Sequence, residues 1–204
     1  MPNLINASTS SGLVTSADTS GTIELQSNGT TKLTVSSSGV NIGQMNGGAI
    51  TAGTAVTLTN QTSVDFTSIP SWVKRITVMF SGVSTSGTSI RLVQLGVSGT
   101  PQTTGYTGSY GEYAATLGTS SITQAGFPVL AGASAAYSAD GFCTICLLNS
   151  NTWTISSTMS SNPARQAVCY GSVALTGTLN MVRVTTVNGT DTFDAGSINI
   201  LYEG

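Results

Sequence analysis

Short apolar runs that alternate with polar residues dominate the chain after about Thr54, and no stretch of helical period interrupts them. Clusters of Gly, Ser, Asn and Pro separate these runs, as is typical of turns between strands. In the last run, Ile198, Ile200 and Tyr202 share one side, as expected for a half-buried strand. This pattern predicts an all-β fold with a C-terminal β-sandwich or jelly-roll-like domain. The predicted strands are Ala55–Thr59, Ser63–Thr67, Val73–Phe80, Ile90–Val97, Tyr113–Leu117, Phe142–Leu148, Trp153–Thr158, Ala167–Leu175, Leu179–Val187 and Ser197–Tyr202.

Three shorter alternating runs between Gly21 and Ile42 predict an N-terminal β-meander. Asn28-Gly29 separates the first two runs and suits a tight hairpin, because both residue types tolerate positive φ. Two apolar residues per strand bury too little area to offset the ordering entropy, so the meander must pack against another surface. Another copy is the simplest partner, and copies that pool their apolar faces would share one core, here called the stem. The predicted stem core consists of Ile23, Leu25, Leu33, Val35, Val40 and Ile42.

The composition along the chain divides it into three parts. Residues 1–20 are polar and predict an attachment peptide or a flexible arm. Residues 21–53 hold the meander stem and end in the Gly-rich linker GQMNGGAITAG, which starts at Gly43. Residues 54–204 form the predicted β-sandwich domain.

The overall composition narrows the possible functions. The 204 residues include 62 Ser and Thr, 24 Gly, 14 charged residues and no His. Without His, mechanisms that need an imidazole base and His-ligated metal sites are excluded, so we expect no enzyme, no cofactor and no metal. Isolated soluble domains usually carry about a quarter charged residues, so the scarcity of charge predicts surfaces that are covered by other protein.

Nucleic acid and membrane are not expected partners. The six Lys and Arg residues are scattered along the chain, whereas binding to phosphates depends on a basic patch or stripe. The N-terminal residues lack the basic start and apolar run of a signal peptide, and no stretch approaches about 18 apolar residues. We therefore expect synthesis in a cytoplasm and no membrane insertion.

A CxxC sequence occurs at Cys143 and Cys146 and raises the possibility of a redox or zinc site. On a strand, residues three apart face opposite sides, which separates the two sulfur atoms. Cys169 is the third thiol of the chain, so a tetrahedral zinc site in one chain would lack a ligand. The sequence therefore predicts three reduced cysteines that are buried or half-buried.

Most glycosidases need a pair of carboxylates. Asp191 and Asp194 are the acidic residues that lie closest together in the sequence. The alternative is that Asn188-Gly189-Thr190-Asp191 is a hairpin turn with Asp at a favoured position. Nothing in the sequence indicates which two of the eight acidic residues converge. A glycan depolymerase is therefore the least favoured function.

The interval Ser98–Ser138 contains one predicted strand and many Gly, Ser, Thr and Tyr residues, which predicts long loops on a rigid β-scaffold. Its candidate binding residues are Tyr106, Tyr110, Tyr113 and Tyr137, because rigid aromatic side chains beside small hydrogen-bonding groups suit recognition. The alternative for any one of these tyrosines is structural: the ring plugs the end of the sandwich or packs against a neighbouring subunit.

Two stretches resemble segments of tailed-bacteriophage virion proteins. The stretch Ser11–Ile42 reads SGLVTSADTSGTIELQSNGTTKLTVSSSGVNI and resembles a segment that recurs near the N-termini of tail-fibre and related structural proteins. The stretch Val64–Gly108 contains VDFTSIPSWVKRITVMFSGVSTSGTSIRLVQLG and TGYTG, and it is similar to C-terminal modules of phage fibres and prophage proteins. Neither stretch contains named binding positions, so the resemblance assigns no site residues.

The resemblance implies a homotrimeric fibre or spike component of a virion. In such a trimer, three copies of the meander would pool their apolar faces into one intertwined stem. Its N-terminal part would contact other tail or capsid proteins, and its C-terminal β-domain would attach to a glycan or protein of the host surface. The chain is short for a long tail fibre, which keeps open a second function. That alternative is a head-fibre or capsid-decorating protein without receptor specificity.

Overall fold

The computed structural model describes residues 21–37, 39–42, 50–113, 117–122, 125–130, 135, 137–162 and 165–204. These residues form β-strands and no helix, which confirms the predicted all-β fold class. The described chain therefore has no helix long and apolar enough to cross a membrane. Its strands are β1 (Ile23–Ser27), β2 (Thr30–Ser36), β3 (Gly39–Ile42), β4 (Thr51–Ala52), β5 (Val56–Thr57), β6 (Val64–Phe66), β7 (Arg75–Thr85), β8 (Arg91–Val97), β9 (Thr100–Pro101), β10 (Thr107–Tyr113), β11 (Leu117–Ser121), β12 (Phe127–Leu130), β13 (Ser138–Asn149), β14 (Thr152–Asn162), β15 (Arg165–Ala174), β16 (Leu179–Thr186) and β17 (Phe193–Glu203).

Strands β1–β3 form the predicted meander, here called the N-terminal ribbon, and belong to a compact unit that spans Met1–Met45. Both strand pairs are antiparallel. Asn28 and Gly29 form the first turn with φ values of 51° and 72°, the left-handed conformation that a two-residue hairpin requires. The predicted arm at residues 1–20 lies outside the described residues.

The second unit spans Asn46–Gly204 and consists of two antiparallel sheets. The larger sheet has nine strands in the order β11-β10-β15-β14-β13-β7-β17-β4, with β5 also paired to β17. The smaller sheet has five strands in the order β12-β8-β16-β6, with β9 paired to β8. Strand β12 of the smaller sheet lies against β14 and β15 of the larger one. The arrangement is that of a β-sandwich-like domain, in which two sheets bury their inward faces against each other.

The core lies between the two sheets and follows the period of two that the sequence predicts. In the larger sheet, Ile76, Val78 and Ile145 are fully buried, while their neighbours along the strands are more exposed. In the smaller sheet, Val93 and Val184 face them from β8 and β16 and are also fully buried. The alternation of Ile198 and Ile200 in β17 is confirmed, since both are at most 2% exposed.

The start of the C-terminal domain differs from the predicted boundary at residue 54. Strand β4 comes earlier in the chain and pairs with β17, where Ala52 lies opposite Leu201. The backbone N–H of Gly53 then donates to the carbonyl oxygen of Ile200 at 2.7 Å. Part of the predicted linker is therefore an edge strand of the larger sheet, and its residues 43–49 lie outside the described residues.

The interval Ser98–Ser138 was predicted as loops around one strand, and this prediction is wrong. The described part of the interval contains β9, β10, β11 and β12. The predicted strand Tyr113–Leu117 does not exist as one strand, because Tyr113 and Leu117 lie opposite each other in the antiparallel pair β10–β11. Gly, Ser and Thr make up most of β10 and β11 in place of alternating aliphatic residues, so these two strands lack the usual sequence signal.

Two glycines allow β7 and β17 to approach each other at a bulge. Gly82 has a φ of +60° and Gly196 a φ of +89°, both in the region that side chains with a Cβ rarely adopt. The register between β17 and β7 shifts between Ala195 and Ser197, on either side of Gly196. A Cβ atom on Gly196 would overlap the backbone carbonyl of Gly82. The bulge therefore requires glycine at residue 196 for both its conformation and its packing.

We expect Gly196→Ala to lower the free energy of unfolding by about 3 kcal/mol, because it adds backbone strain and a steric overlap. Gly99→Ala is the matched control: Gly99 has a φ of +75°, but a Cβ there meets no atom within 4 Å. The control should lose only about 1 kcal/mol through its conformation. Urea unfolding of both variants measures the difference, and equal losses would contradict the proposed overlap.

Candidate binding surface

Tyr106, the first of the four candidate tyrosines, is part of the core. It is 7% exposed, and its ring packs edge-on against Phe127 with 4.7 Å between the centroids. Its hydroxyl accepts from the backbone N–H of Leu95 at 2.9 Å and donates to the carbonyl oxygen of Gln102 at 2.9 Å. Burial raises the pKa of Tyr106 to about 12. Tyr106 therefore joins β8 to the segment before β10, and we leave it out of the candidate surface.

Tyr113 is 51% exposed, whereas Tyr106 and Tyr110 are buried. It ends β10 and lies opposite Gln166 of β15. Gln166 is exposed and alternates with the buried Ala167, so this pair belongs to the outward face of the larger sheet. Tyr113 is thus placed where a ligand could reach it.

Tyr110 and Tyr137 meet in a cluster of charged side chains. The Tyr110 hydroxyl donates to Oε1 of Glu112 at 2.6 Å, and the other oxygen of Glu112 lies 3.2 Å from Nη1 of Arg165. The guanidinium of Arg165 lies over the Tyr137 ring at 5.6 Å from its centroid, a cation–π distance. The side chains of Glu112 and Arg165 are only 16% and 26% exposed, so this ion pair is shielded from most of the solvent.

Arg91 completes this group, which we call the tyrosine–arginine cluster: Arg91, Tyr110, Glu112, Tyr137 and Arg165. Arg91 is fully buried, and its Nη2 donates to the carbonyl oxygen of Tyr137 at 2.9 Å. Burial lowers the pKa of Arg91, against the field of Asp194 and Tyr110, which favours its charged form. Its Nε and Nη1 atoms have no hydrogen-bond partner in the described part of the chain.

The cluster ties the ends of several strands together. Arg91 and Arg165 begin β8 and β15, Glu112 is next to the end of β10, and Tyr137 directly precedes β13. Arg91 is one of four buried side chains in the described residues with a polar atom that has no partner, and each such atom would cost about 1–3 kcal/mol. Departures of this kind from local packing rules concentrate at functional sites.

The sequence pattern predicts two residues of the cluster, Tyr110 and Tyr137, but neither arginine. The available signal was charge in a strand: Arg91 falls inside the predicted strand Ile90–Val97, at a position that shares a face with the buried Val93 and Leu95. Arg165 preceded the predicted strand Ala167–Leu175 and gave no such signal.

The three cysteines are free thiols placed as the strand period predicts. Cys143 and Cys169 are buried, and Cys146 is half-buried. Cys143 and Cys169 both lie opposite Ser157 of β14, so one strand separates them by about 10 Å. Burial raises the pKa of Cys143 and of Cys169 to about 12, which keeps both thiols protonated and unreactive. The described residues contain no group of three Cys, Asp or Glu side chains suited to a metal ion.

The two acids that were weighed as a catalytic pair form structural hydrogen bonds, Asp191 to a loop and Asp194 of β17 to the neighbouring strand β7. Asp191 accepts from the backbone N–H of Ser89 at 2.8 Å and from Nδ2 of Asn188 at 2.7 Å. Asp194 accepts from the Ser84 hydroxyl. The turn predicted at Asn188–Asp191 is present, with Gly189 at a φ of 66°. It connects β16 to β17, which belong to different sheets, so it is a crossing between layers and not a hairpin.

Comparisons with protein-family models, curated proteins and solved structures found no match to this chain. The function is therefore inferred from the geometry of the described residues.

We expect Tyr106→Phe to lower the free energy of unfolding by about 1–3 kcal/mol, because the N–H of Leu95 and the carbonyl of Gln102 lose their partner. Tyr113→Phe is the matched control, since its exposed hydroxyl makes no hydrogen bond to the described residues, and its stability should not change. Urea unfolding compares the two variants. An unchanged stability of Tyr106→Phe would show that its hydroxyl is not a structural group.

Proposed function

We propose that this protein is a homotrimeric fibre component of a bacteriophage particle that attaches to the host cell surface. The observation that carries the proposal is the exposed apolar face of the N-terminal ribbon. Ile23 is 60% exposed, Leu25 46% and Val40 64%, although all three are predicted stem-core residues. Large apolar side chains that remain this exposed on one face indicate a surface that another protein covers.

The strand register brings the apolar residues of the ribbon together. Ile23, Val35 and Val40 lie opposite one another across the three strands. In the same way, Leu33 lies opposite Leu25 on one side and Ile42 on the other. Two continuous apolar rows therefore cross the ribbon, as the predicted stem core requires.

The opposite face of the ribbon is polar, and three of its side chains form hydrogen bonds with one another. Nε2 of Gln26 donates to Oε2 of Glu24 and to the hydroxyl of Thr31, both at 3.3 Å, and that hydroxyl donates to Glu24 at 3.1 Å. The ribbon is thus amphipathic, with a solvated face and an apolar face. Three copies that turn their apolar faces to one axis would remove both rows from water, which is the arrangement that the resemblance to fibre proteins implies.

The assignment to a phage particle is supported by the two stretches that resemble fibre proteins and by the low charge of the chain. Capsid decoration is the alternative function, because the resemblance to virion proteins and the low charge of the chain fit a capsid component as well. The depolymerase hypothesis gains no support, because Asp191 is hydrogen-bonded to a loop and Asp194 to Ser84 of β7. In the attachment function, the tyrosine–arginine cluster positions the strand ends, and exposed aromatic residues such as Tyr113 contact the host.

We expect the protein to sediment at three times its chain mass of 20.6 kDa at micromolar concentration, and Leu33→Lys to dissociate it. A lysine at residue 33 would place a charge inside the pooled apolar rows, where burying it is costly. Thr34→Lys is the matched control, because it adds the same charge on the opposite face, across from Glu24. Analytical ultracentrifugation measures all three masses. A folded wild-type monomer, or a trimer that survives Leu33→Lys, would disprove the stem.

We expect antibodies against the chain, labelled with gold, to mark fibres on the tail of the particle, and the purified protein to compete with infection. Electron microscopy and plaque counts are the two measurements. Labelling spread over the capsid without competition would favour the decoration function. Absence of label from intact particles would refute both functions.

A further inference from the structure

A row of short hydroxyl side chains runs along β14 on the outward face of the larger sheet. Its members are Thr154, Ser156, Thr158 and Ser160. The alternate residues of the same strand, such as Ile155 and Met159, are buried in the core. The four side chains form a floor about 20 Å long, and on each neighbouring strand one longer aromatic side chain lies opposite a floor residue. We call this surface the β14 trough.

An aromatic side chain stands on each side of the trough. Phe142 of β13 lies opposite Thr158 and is 52% exposed. Tyr170 of β15 lies opposite Ser156 and is 53% exposed. Because β14 lies between them, the two residues are about 10 Å apart across the trough. They are offset along it by two residues of β14, or about 7 Å. The two rings therefore form opposite, staggered walls.

A bulge sets the position of Phe142. Gly141 has a φ of +142°, and the pairing of β13 with β7 shifts between Ala139 and Gly141. A Cβ on Gly141 would overlap the carbonyl oxygen of Thr158, so glycine permits the close approach of β13 to β14 here. Bulges of this kind redirect side chains and are frequent next to binding sites.

The hydroxyls at the centre of the floor are available to a ligand. Within the described chain, Ser156 and Thr158 form no side-chain hydrogen bond and are exposed. The outer two are weakly engaged: Thr154 donates to the carbonyl of Cys146, and Ser160 to that of Asp140, each at 3.4 Å. Hydroxyls can both donate and accept, which matches the hydroxyl groups of a sugar.

Charge is confined to the ends of the trough. Asp140 lies opposite Ser160 at one end, and its carboxylate accepts from the backbone N–H of Gly82 at 2.8 Å. Arg75 lies beside Cys146 at the other end and pairs with Glu203 at 2.9 Å. Between these ends, the described floor and walls carry no charged side chain. The surface therefore complements an uncharged ligand better than an acidic one.

The same dimensions disfavour a second copy of the chain as the occupant. The floor and its walls offer about 200 Å², whereas a stable protein interface buries about 800 Å² per partner. A protein partner would also bury four hydroxyls in the middle of the contact, where interfaces are usually most apolar. A narrow chain of sugar rings, by contrast, fits a trough of this width.

We infer that the β14 trough binds an uncharged oligosaccharide. Its rings stack on Phe142 and Tyr170, and its hydroxyls exchange hydrogen bonds with Ser156 and Thr158. The inference rests on the proposed attachment function and specifies the ligand class and the surface for it.

The test uses the intact protein with polysaccharide extracted from susceptible cells and separated into neutral and acidic fractions. In affinity electrophoresis, we expect the neutral fraction to retard the wild-type protein, and Phe142→Ser and Tyr170→Ser each to weaken this binding about tenfold, as is typical of a buried aromatic contact. Val187→Ser is the matched control, because Val187 is 48% exposed in the turn after β16 and lies outside the trough. Its binding should equal that of the wild type.

Several results would overturn the inference. Binding of the acidic fraction alone, or equal binding by wild type and both aromatic variants, would exclude the trough as the site. Dissociation of trimers by Tyr170→Ser in ultracentrifugation would show that the face is a subunit contact. If the wild type binds susceptible cells but not the neutral fraction, the trough inference fails and the attachment function stands. If it binds neither, both fail.

Discussion

The pairing of β7 with β13 on one side and β17 on the other is the constraint on which the C-terminal domain depends. The three strands begin at residues 75, 138 and 193, so the chain must close long loops before either sheet face is buried. The inward residues Ile76, Val78, Phe80 and Val83 of β7 are at most 4% exposed and fill the middle of the core. The glycine bulges on both sides of β7 then determine where the outward side chains stand.

The sequence alone predicts the elements whose apolar residues alternate, such as β7, β17 and the N-terminal ribbon, because burial of one face leaves a period of two. It does not predict β10 and β11, because Gly, Ser and Thr make up most of both strands and leave no alternation of apolar and polar residues. The two strands are defined by long-range pairing, for example of Gly111 with Val168 of β15 and Thr119 of β11. Such strands exist through long-range pairing, which leaves little local signal.

The candidate tyrosines show that local composition does not predict which aromatic residue a ligand can reach. Tyr106 and Tyr113 occur in similar Gly- and Thr-rich surroundings, yet one is buried against Phe127 and the other is half-exposed. Their exposure differs because the smaller sheet covers Tyr106 but not Tyr113, and this coverage is a property of the tertiary structure. The β14 trough did leave a local signal: in the sequence TWTISSTMSS, every second residue from Thr152 onward carries a hydroxyl.

Most charged side chains in the described part of the protein form ion pairs or hydrogen bonds within the chain. Arg183 binds both oxygens of Asp65 at 2.6 Å, and Arg75 and Arg165 pair with Glu203 and Glu112. In the proposed function, recognition would depend on ring stacking, hydroxyls and apolar contact, which act at short range and give modest affinity at a single small site. The proposed trimer would carry three identical troughs, and binding of the first would raise the effective concentration of the second and third. The apolar ribbon would thus contribute to binding through avidity, which would supply the affinity that a single uncharged trough lacks.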